Sequence, residues 1–336
     1  MTRFLRVRAG LEPPAFMRCR AGAVDLGDPA TASDDERRRA HQTGMADLRR
    51  GLASAGHAGA SLLDVKAELA RHALRRCRLC PNDCGVDRTS GEVRRCGVGA
   101  RAHVAAEMVH LGEVEELAPA HAIFLSGCTM RCIYCRRWEL IEHPDQGDVL
   151  EPAWFAERVR KARSAGARAI KLLGGTPEPH VAALLDALRS LDVALPVVWE
   201  STMYISEQCL GLIEGTVDLV VANLRYGSDQ CARELSGVGR YVEPALAALG
   251  HAMRWTDVTV RHLVLPGHID CCTRPLAEML QGIAPEVEMM LLMQYVPFWQ
   301  AADHPPLDRR LTARVREEAV AAVGSVKERW SVSPLA

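Results

Sequence analysis

The chain has 336 residues, 48% hydrophobic and 25% charged, with a mean hydropathy of -0.04, which fits one large core plus an appendage and excludes disorder throughout. Its 41 Lys and Arg against 42 Asp and Glu leave a formal charge of -1, so no global field draws in nucleic-acid phosphates or anionic lipid. No run approaches the roughly 20 apolar residues of a membrane-spanning helix, and the basic N-terminus precedes no signal-peptide core, so a cytoplasmic location is expected.

Residues 1–60 are rich in Ala, Arg and Asp, carry Pro13 and Pro14, and read as a weakly specified extension, although Ser33 before the charge run Asp34–Arg39 fits a helix N-cap. A helix is predicted from Ser61 to Arg76, with Leu62, Leu63, Val65, Leu69 and Leu74 on one apolar face. It opens a segment, 61–120, that includes the first cysteine cluster.

From Ala122 the pattern changes to short apolar runs alternating with helices, the signature of βαβ units and a parallel sheet. Six strands are expected: Ala122–Gly127, Arg168–Gly175, Pro196–Thr202, Val217–Arg225, Asp257–Gly267 and Val287–Pro297. The helices between and after them are Trp154–Ala165, Val181–Leu191, Ser206–Glu214, Val242–Arg254, Arg274–Ile283 and Leu311–Val323. The expected fold is α/β: a partial, open (β/α)6 TIM-like barrel over residues 121–300, with an N-terminal cysteine-rich helical extension and a C-terminal helix and tail at 301–336. Its ligand cleft belongs at the C-terminal ends of the strands.

Twelve cysteines in a chain without an export signal suggest metal ligands or catalytic thiols rather than disulfides. Seven fall in two clusters, Cys77, Cys80, Cys84 and Cys96, then Cys128, Cys132 and Cys135. The second cluster is a C-x3-C-x2-C run on the loop leaving the first strand. A cubane cluster normally takes four Cys ligands, so three thiolates leave one iron open to a non-protein ligand, whereas structural zinc wants a closed set of four.

This loop, with Tyr134 just before the third cysteine, resembles the radical S-adenosylmethionine superfamily. The resemblance implies that Cys128, Cys132 and Cys135 hold three irons of a 4Fe-4S cluster while the amino and carboxylate groups of S-adenosylmethionine chelate the fourth. It implies reductive cleavage to a 5'-deoxyadenosyl radical, fed by an electron donor such as flavodoxin or ferredoxin. A non-catalytic iron–sulfur electron-transfer or assembly protein is the alternative.

After the second strand, Lys171-Leu-Leu-Gly174-Gly175-Thr176-Pro177-Glu178-Pro179-His180 reads as a strand-to-helix turn with backbone room for a ligand. It resembles the superfamily's GGE segment, except that Thr176 stands where Glu is usual. Trp199-Glu200-Ser201-Thr202 offers hydroxyls at a strand end for a ribose or carboxylate, or for a helix cap. Arg261 and His262 interrupt an apolar strand, so at least one is expected to face the lumen or to form a structural ion pair. The expected cofactor-binding set is Tyr134, Gly174, Gly175, Thr176, Ser201, Thr202, Arg261 and His262, with Asn223, Tyr226, Gln294 and Tyr295 as further polar lining.

The motifs FLSGCTMRCIYC, GGTPEPH, PVVWEST, VDLVVANLRYGS, RHLVLPG and LLMQYVP together resemble the activating-enzyme branch, and within it proteins related to the pyruvate formate-lyase activating enzyme. That resemblance implies an oxidoreductase whose target is a glycyl-radical-type protein or another substrate. The upstream motif CRLCPNDCGVDRTSGEVRRCG resembles this group's N-terminal cysteine segment. Its four thiolates make a closed site for zinc or a second iron–sulfur cluster, clamping the extension over the barrel. Cys271 and Cys272 near the rim read as packed or idle thiols. His180 and His268 are rim residues only, and Cys19, Cys209 and Cys231 receive no role.

Overall fold

The computed structural model describes residues 1–52, 59–111, 115–285, 287 and 289–324. The region read as weakly specified carries three helices, α1 (Arg3–Arg8), α2 (Ala15–Ala21) and α3 (Asp34–Arg49). Ser33 caps α3 as expected, in a reciprocal capping box with Glu36. Helix α4 (Leu62–Ala73) has the same device in Ser61 and Asp64, and buries the predicted Leu62, Leu63 and Val65. Helices of six and seven residues such as α1 and α2 have little intrinsic stability, so packing of Phe4 and Phe16 holds them.

Strands β1 (His103–His110) and β2 (Ala120–Leu125) pair antiparallel, and after α5 (Glu139–Glu142) the short β3 (Asp148–Val149) adds to the far side of β1. The chain then runs α6 (Pro152–Ser164), β4 (Ile170–Gly174), α7 (Val181–Ser190), β5 (Val197–Ser201), α8 (Glu207–Ile213) and β6 (Leu219–Asn223). Helices α9 (Asp229–Ser236) and α10 (Val242–Ala252), β7 (Asp257–Leu263), α11 (Arg274–Ile283), β8 (Met289–Leu292) and α12 (Ala313–Val323) complete it. The sheet order is β3-β1-β2-β4-β5-β6-β7-β8, with every pair from β2 to β8 parallel. This is the open, six-stranded partial barrel expected, extended at one edge by two antiparallel strands the sequence reading did not contain.

The period of two sorts side chains between the faces. Ile170, Leu172, Val197, Trp199, Val220 and Ala222 join the core with the helices, whereas Ala120, Ala169, Val198, Leu219 and Val221 form a separate cluster around Phe4 of α1. Helix α1 therefore plugs the inside of the sheet at its N-terminal end. It is pinned there by Phe4 N–H donating to Asp257 (2.7 Å) and Arg3 to Asp218 (3.2 Å). Phe4→Ala is expected to cost about 3 kcal/mol, read as a lowered urea midpoint at unchanged slope.

Candidate active site

Two residues along from the apolar plug, the same inner face turns polar. Lys171 of β4 meets Glu200 of β5 at 2.8 Å, Asn223 of β6 donates to Glu200 at 3.0 Å, and Arg261 of β7 lies 3.6 Å from it. Lys171 and Arg261 are buried, and the two cations hold the Glu200 carboxyl down at about 2 against the cost of its own burial. Arg261 thus faces the lumen and is ion-paired as well. His262, one residue on, points the other way. Its Nδ1–H donates to Leu224 O (2.9 Å) and its Nε2 accepts from Thr273 (3.0 Å), so both ring nitrogens are engaged and burial keeps the ring neutral, with a pKa of about 4.

Above this layer lies the loop leaving β2. Gly127, at φ 76°, turns the chain where an added Cβ would meet Cys96 O at 2.6 Å. Cys128 is buried, and Cys132 and Cys135 are partly buried. Burial first, then the neighbouring thiols, push Cys128 up and Cys135 to about 12. A chain of donors ends on one of them. Tyr134 OH donates to Tyr226 OH (2.9 Å), Tyr226 to Ser236 Oγ, and Ser236 Oγ to Cys132 Sγ (2.9 Å). These bonds fix the position of the Cys132 sulfur. Ser236 ends α9, an amphipathic helix absent from the sequence reading; its signals are the capping Ser228 and Gly237 in the left-handed region.

The Gly174-Gly175 turn is shaped by the protein itself. A Cβ on Gly175 would lie 1.6 Å from Gly127 O, and the Gly175 and Thr176 amides donate to Leu125 O (2.9 Å) and Gly127 O (3.3 Å). The buried Thr176 hydroxyl accepts from Thr129 N–H (3.2 Å), bracing the cysteine loop. Glu178 is buried beside it, pushed up by desolvation against hydrogen bonds from Ser201, Thr176 and Trp199. His180 Nε2–H donates to Ser126 O (2.7 Å), a loop tie rather than a rim group. Ser201 Oγ accepts from Met203 N–H (2.9 Å). Tyr295 stacks edge-on against Tyr134 at 6.3 Å and donates to Leu307 O.

The upstream cysteines reach the same loop. Cys77, Cys80, Cys84 and Cys96 line one small cavity with Thr129 and Pro179. Asn82 donates to Thr129 O (2.9 Å), Cys128 N–H to Cys96 O (3.2 Å), and Arg95 to Ser236 O. Cys271 and Cys272 lie together with Cys231 and His268, their ligand atoms all within 4.8 Å of one another.

The sequence profile described as the radical SAM superfamily matches residues 122–280. An uncharacterized protein of Methanocaldococcus jannaschii is 30% identical over 267 residues, 77% of this chain and 78% of the relative. The chain belongs to the radical S-adenosylmethionine superfamily. Among solved structures it is similar to Streptococcus suis SuiB bound to S-adenosylmethionine (TM-score 0.43, 11% identity, 61% of this chain and 48% of that one). It is also similar to SuiB bound to its precursor peptide SuiA (TM-score 0.43, 10% identity, 81% of this chain and 58% of that one). The chain thus spans about half the length of these structures. The profile match establishes the superfamily and not the activating-enzyme branch.

A radical SAM protein works with a 4Fe-4S cluster and S-adenosylmethionine, and cleavage of that cofactor to a radical is its chemistry. The residues present fit a polar cofactor. Thr202 Oγ1, Arg225 Nε and Gln294 Oε1, all just beyond strand ends, are buried without a hydrogen-bond partner among the described residues. Buried polar atoms are normally satisfied, and a ligand bearing amino, carboxylate and hydroxyl groups supplies what these lack. Arg225 is a cation the sequence reading passed over. Burial works against its charge, but the neighbouring Tyr134 and Cys132 hold its pKa above the usual value. No helix among the described residues is long and apolar enough to cross a membrane.

Proposed function

We propose that Cys128, Cys132 and Cys135 ligate three irons of the 4Fe-4S cluster and leave the fourth to S-adenosylmethionine, at the mouth of the partial barrel. The observation that carries this reading is the convergence of the Tyr134–Tyr226–Ser236 donor chain on Cys132 Sγ, on the loop that also carries Cys128 and Cys135. When bound, cluster and cofactor supply reductive cleavage of the sulfonium to a 5'-deoxyadenosyl radical for hydrogen abstraction. The chain's own residues do the rest. Ser236 holds the Cys132 sulfur, Thr176 and the Gly174-Gly175 turn hold the loop, and Arg225 presents positive charge beside the thiols. Thr202 and Gln294 offer free hydrogen-bonding atoms, and the Lys171–Glu200–Asn223–Arg261 layer forms a rigid polar floor. Tyr134 acts through its hydroxyl on this support rather than as a direct cofactor ligand.

The target in this reading is a glycine of a glycyl-radical-type partner or another substrate with an abstractable hydrogen. The electron comes from a one-electron donor such as flavodoxin or ferredoxin. The cavity lined by Cys77, Cys80, Cys84 and Cys96 takes zinc or a second cluster that ties the N-terminal helices to the cysteine loop.

The test is anaerobic reconstitution followed by dithionite and S-adenosylmethionine. Wild type is expected to release 5'-deoxyadenosine and Cys132→Ala none. Equal release from Cys132→Ala contradicts the assignment. A cluster-bearing wild type that yields no product with any reductant favours an electron-transfer protein.

A further inference from the structure

Cys231, His268, Cys271 and Cys272 lie outside the radical loop, and their ligand atoms all fall within 4.8 Å of one another. The separations are Cys231 Sγ to Cys271 Sγ 3.4 Å, Cys231 Sγ to His268 Nδ1 3.6 Å, and His268 Nδ1 to Cys271 Sγ 3.3 Å. An ion with metal–sulfur bonds of about 2.3 Å and metal–nitrogen bonds of about 2.0 Å sets tetrahedral edges near 3.8 Å between sulfurs and near 3.6 Å from sulfur to nitrogen. The three separations among Cys231, His268 and Cys271 come within a few tenths of an ångström of one face of that polyhedron, and Cys272 Sγ lies within 4.8 Å of all three.

The fold supplies the convergence from two directions. Cys231 sits in the first turn of α9, with its amide capped by Ser228. The other three come from the connection after β7, where residues Ile269–Thr273 form a π-helical turn begun by His268. Wide turns of this kind are rare and recur at functional sites. Cys272 N–H donates to His268 O (3.0 Å), which closes the turn so that both residues lie on one side of it. Gly227, between β6 and α9, packs backbone to backbone against the turn. A Cβ there would lie 2.2 Å from Cys272 O.

We propose that Cys231, His268, Cys271 and Cys272 bind one thiophilic divalent metal ion of the zinc class. Four protein ligands close the coordination sphere, so the ion is structural. Binding releases three thiol protons and leaves the neutral imidazole bonded through Nδ1, giving three thiolates and one dication a net charge of -1. The ion fastens α9 to the turn after β7. Cys231 and Ser236 lie five residues apart on that helix, roughly 7.5 Å along its axis. The ion therefore fixes the far end of the element whose last residue donates to Cys132 Sγ.

The test is elemental analysis of the full chain as purified with zinc present. Wild type is expected to carry one more zinc than Cys231→Ala or Cys271→Ala, while Cys132→Ala keeps it, so the result does not depend on the radical chemistry. Unchanged zinc in Cys271→Ala overturns the proposal, and loss of several irons with no zinc overturns the single-ion assignment. Wild-type protein gives a readout free of folding effects: iodoacetamide labelling of the partly exposed Cys271 is expected to rise at least tenfold on adding a strong chelator. Labelling that ignores the chelator, or a Cys231–Cys271 disulfide in its place, contradicts a bound ion.

Discussion

Glu200→Ala is expected to destabilise the protein by about 3–5 kcal/mol, because it leaves Lys171 and Arg261 buried without the carboxylate that compensates them. The same residue sets a pH dependence. Its folded pKa of about 2 lies below the usual 4.5, so its contribution is complete above about pH 4.5. As pH falls from there toward 2 the unfolded chain takes up the proton first, and the contribution disappears. Urea midpoints from pH 7 to 2.5 should therefore fall steeply in wild type and less steeply in Glu200→Gln, which keeps the shape and removes the charge. Parallel curves would show that the polar floor does not depend on this ion triad.

Gly175→Ala is expected to abolish cluster incorporation while secondary structure survives. The new Cβ would overlap Gly127 O at 1.6 Å and press on Cys128 Cβ at 3.3 Å, and backbone cannot swing aside as a side-chain tip can. Relief requires parting the end of β4 from the end of β2, which moves the cysteine loop. Iron content after reconstitution should drop to below a tenth of wild type with an unchanged far-ultraviolet circular dichroism spectrum. Wild-type iron content would mean that the loop tolerates a displacement its hydrogen bonds to Leu125 and Gly127 argue against.

The barrel was legible because its strands are apolar runs separated by helical stretches; helix Arg274–Ile283 has the predicted bounds, whereas the last strand, expected over Val287–Pro297, is confined to Met289–Leu292. Strand β1 escaped because His103 to His110 pairs antiparallel beside the edge strand, with an irregular register and only one of its eight residues fully buried, so it lacks a continuous apolar run. Helices α1 and α2 escaped for the reason that makes them form: they are short, and Phe4 and Phe16 pay off only against a sheet and helices far along the chain. At the site, the cysteine triplet is a local pattern and could be read from spacing. The partners that give it meaning are not local. Ser236 lies 104 positions from Cys132, and Glu200 finds Lys171 and Arg261 from neighbouring strands. Gly174 and Gly175 read as positions where backbone approaches a ligand, and the backbone that comes close to them is that of β2 and the cysteine loop.

The central claim is that the Cys128–Cys135 loop holds a cluster with one iron open to S-adenosylmethionine. Electron paramagnetic resonance of the dithionite-reduced, reconstituted protein tests it most directly, recorded with and without S-adenosylmethionine and with Cys128→Ala as control. The cofactor is expected to shift the wild-type cluster signal, and the shift is expected to be absent from Cys128→Ala. A wild-type spectrum indifferent to the cofactor, or a shift that survives in Cys128→Ala, would contradict it.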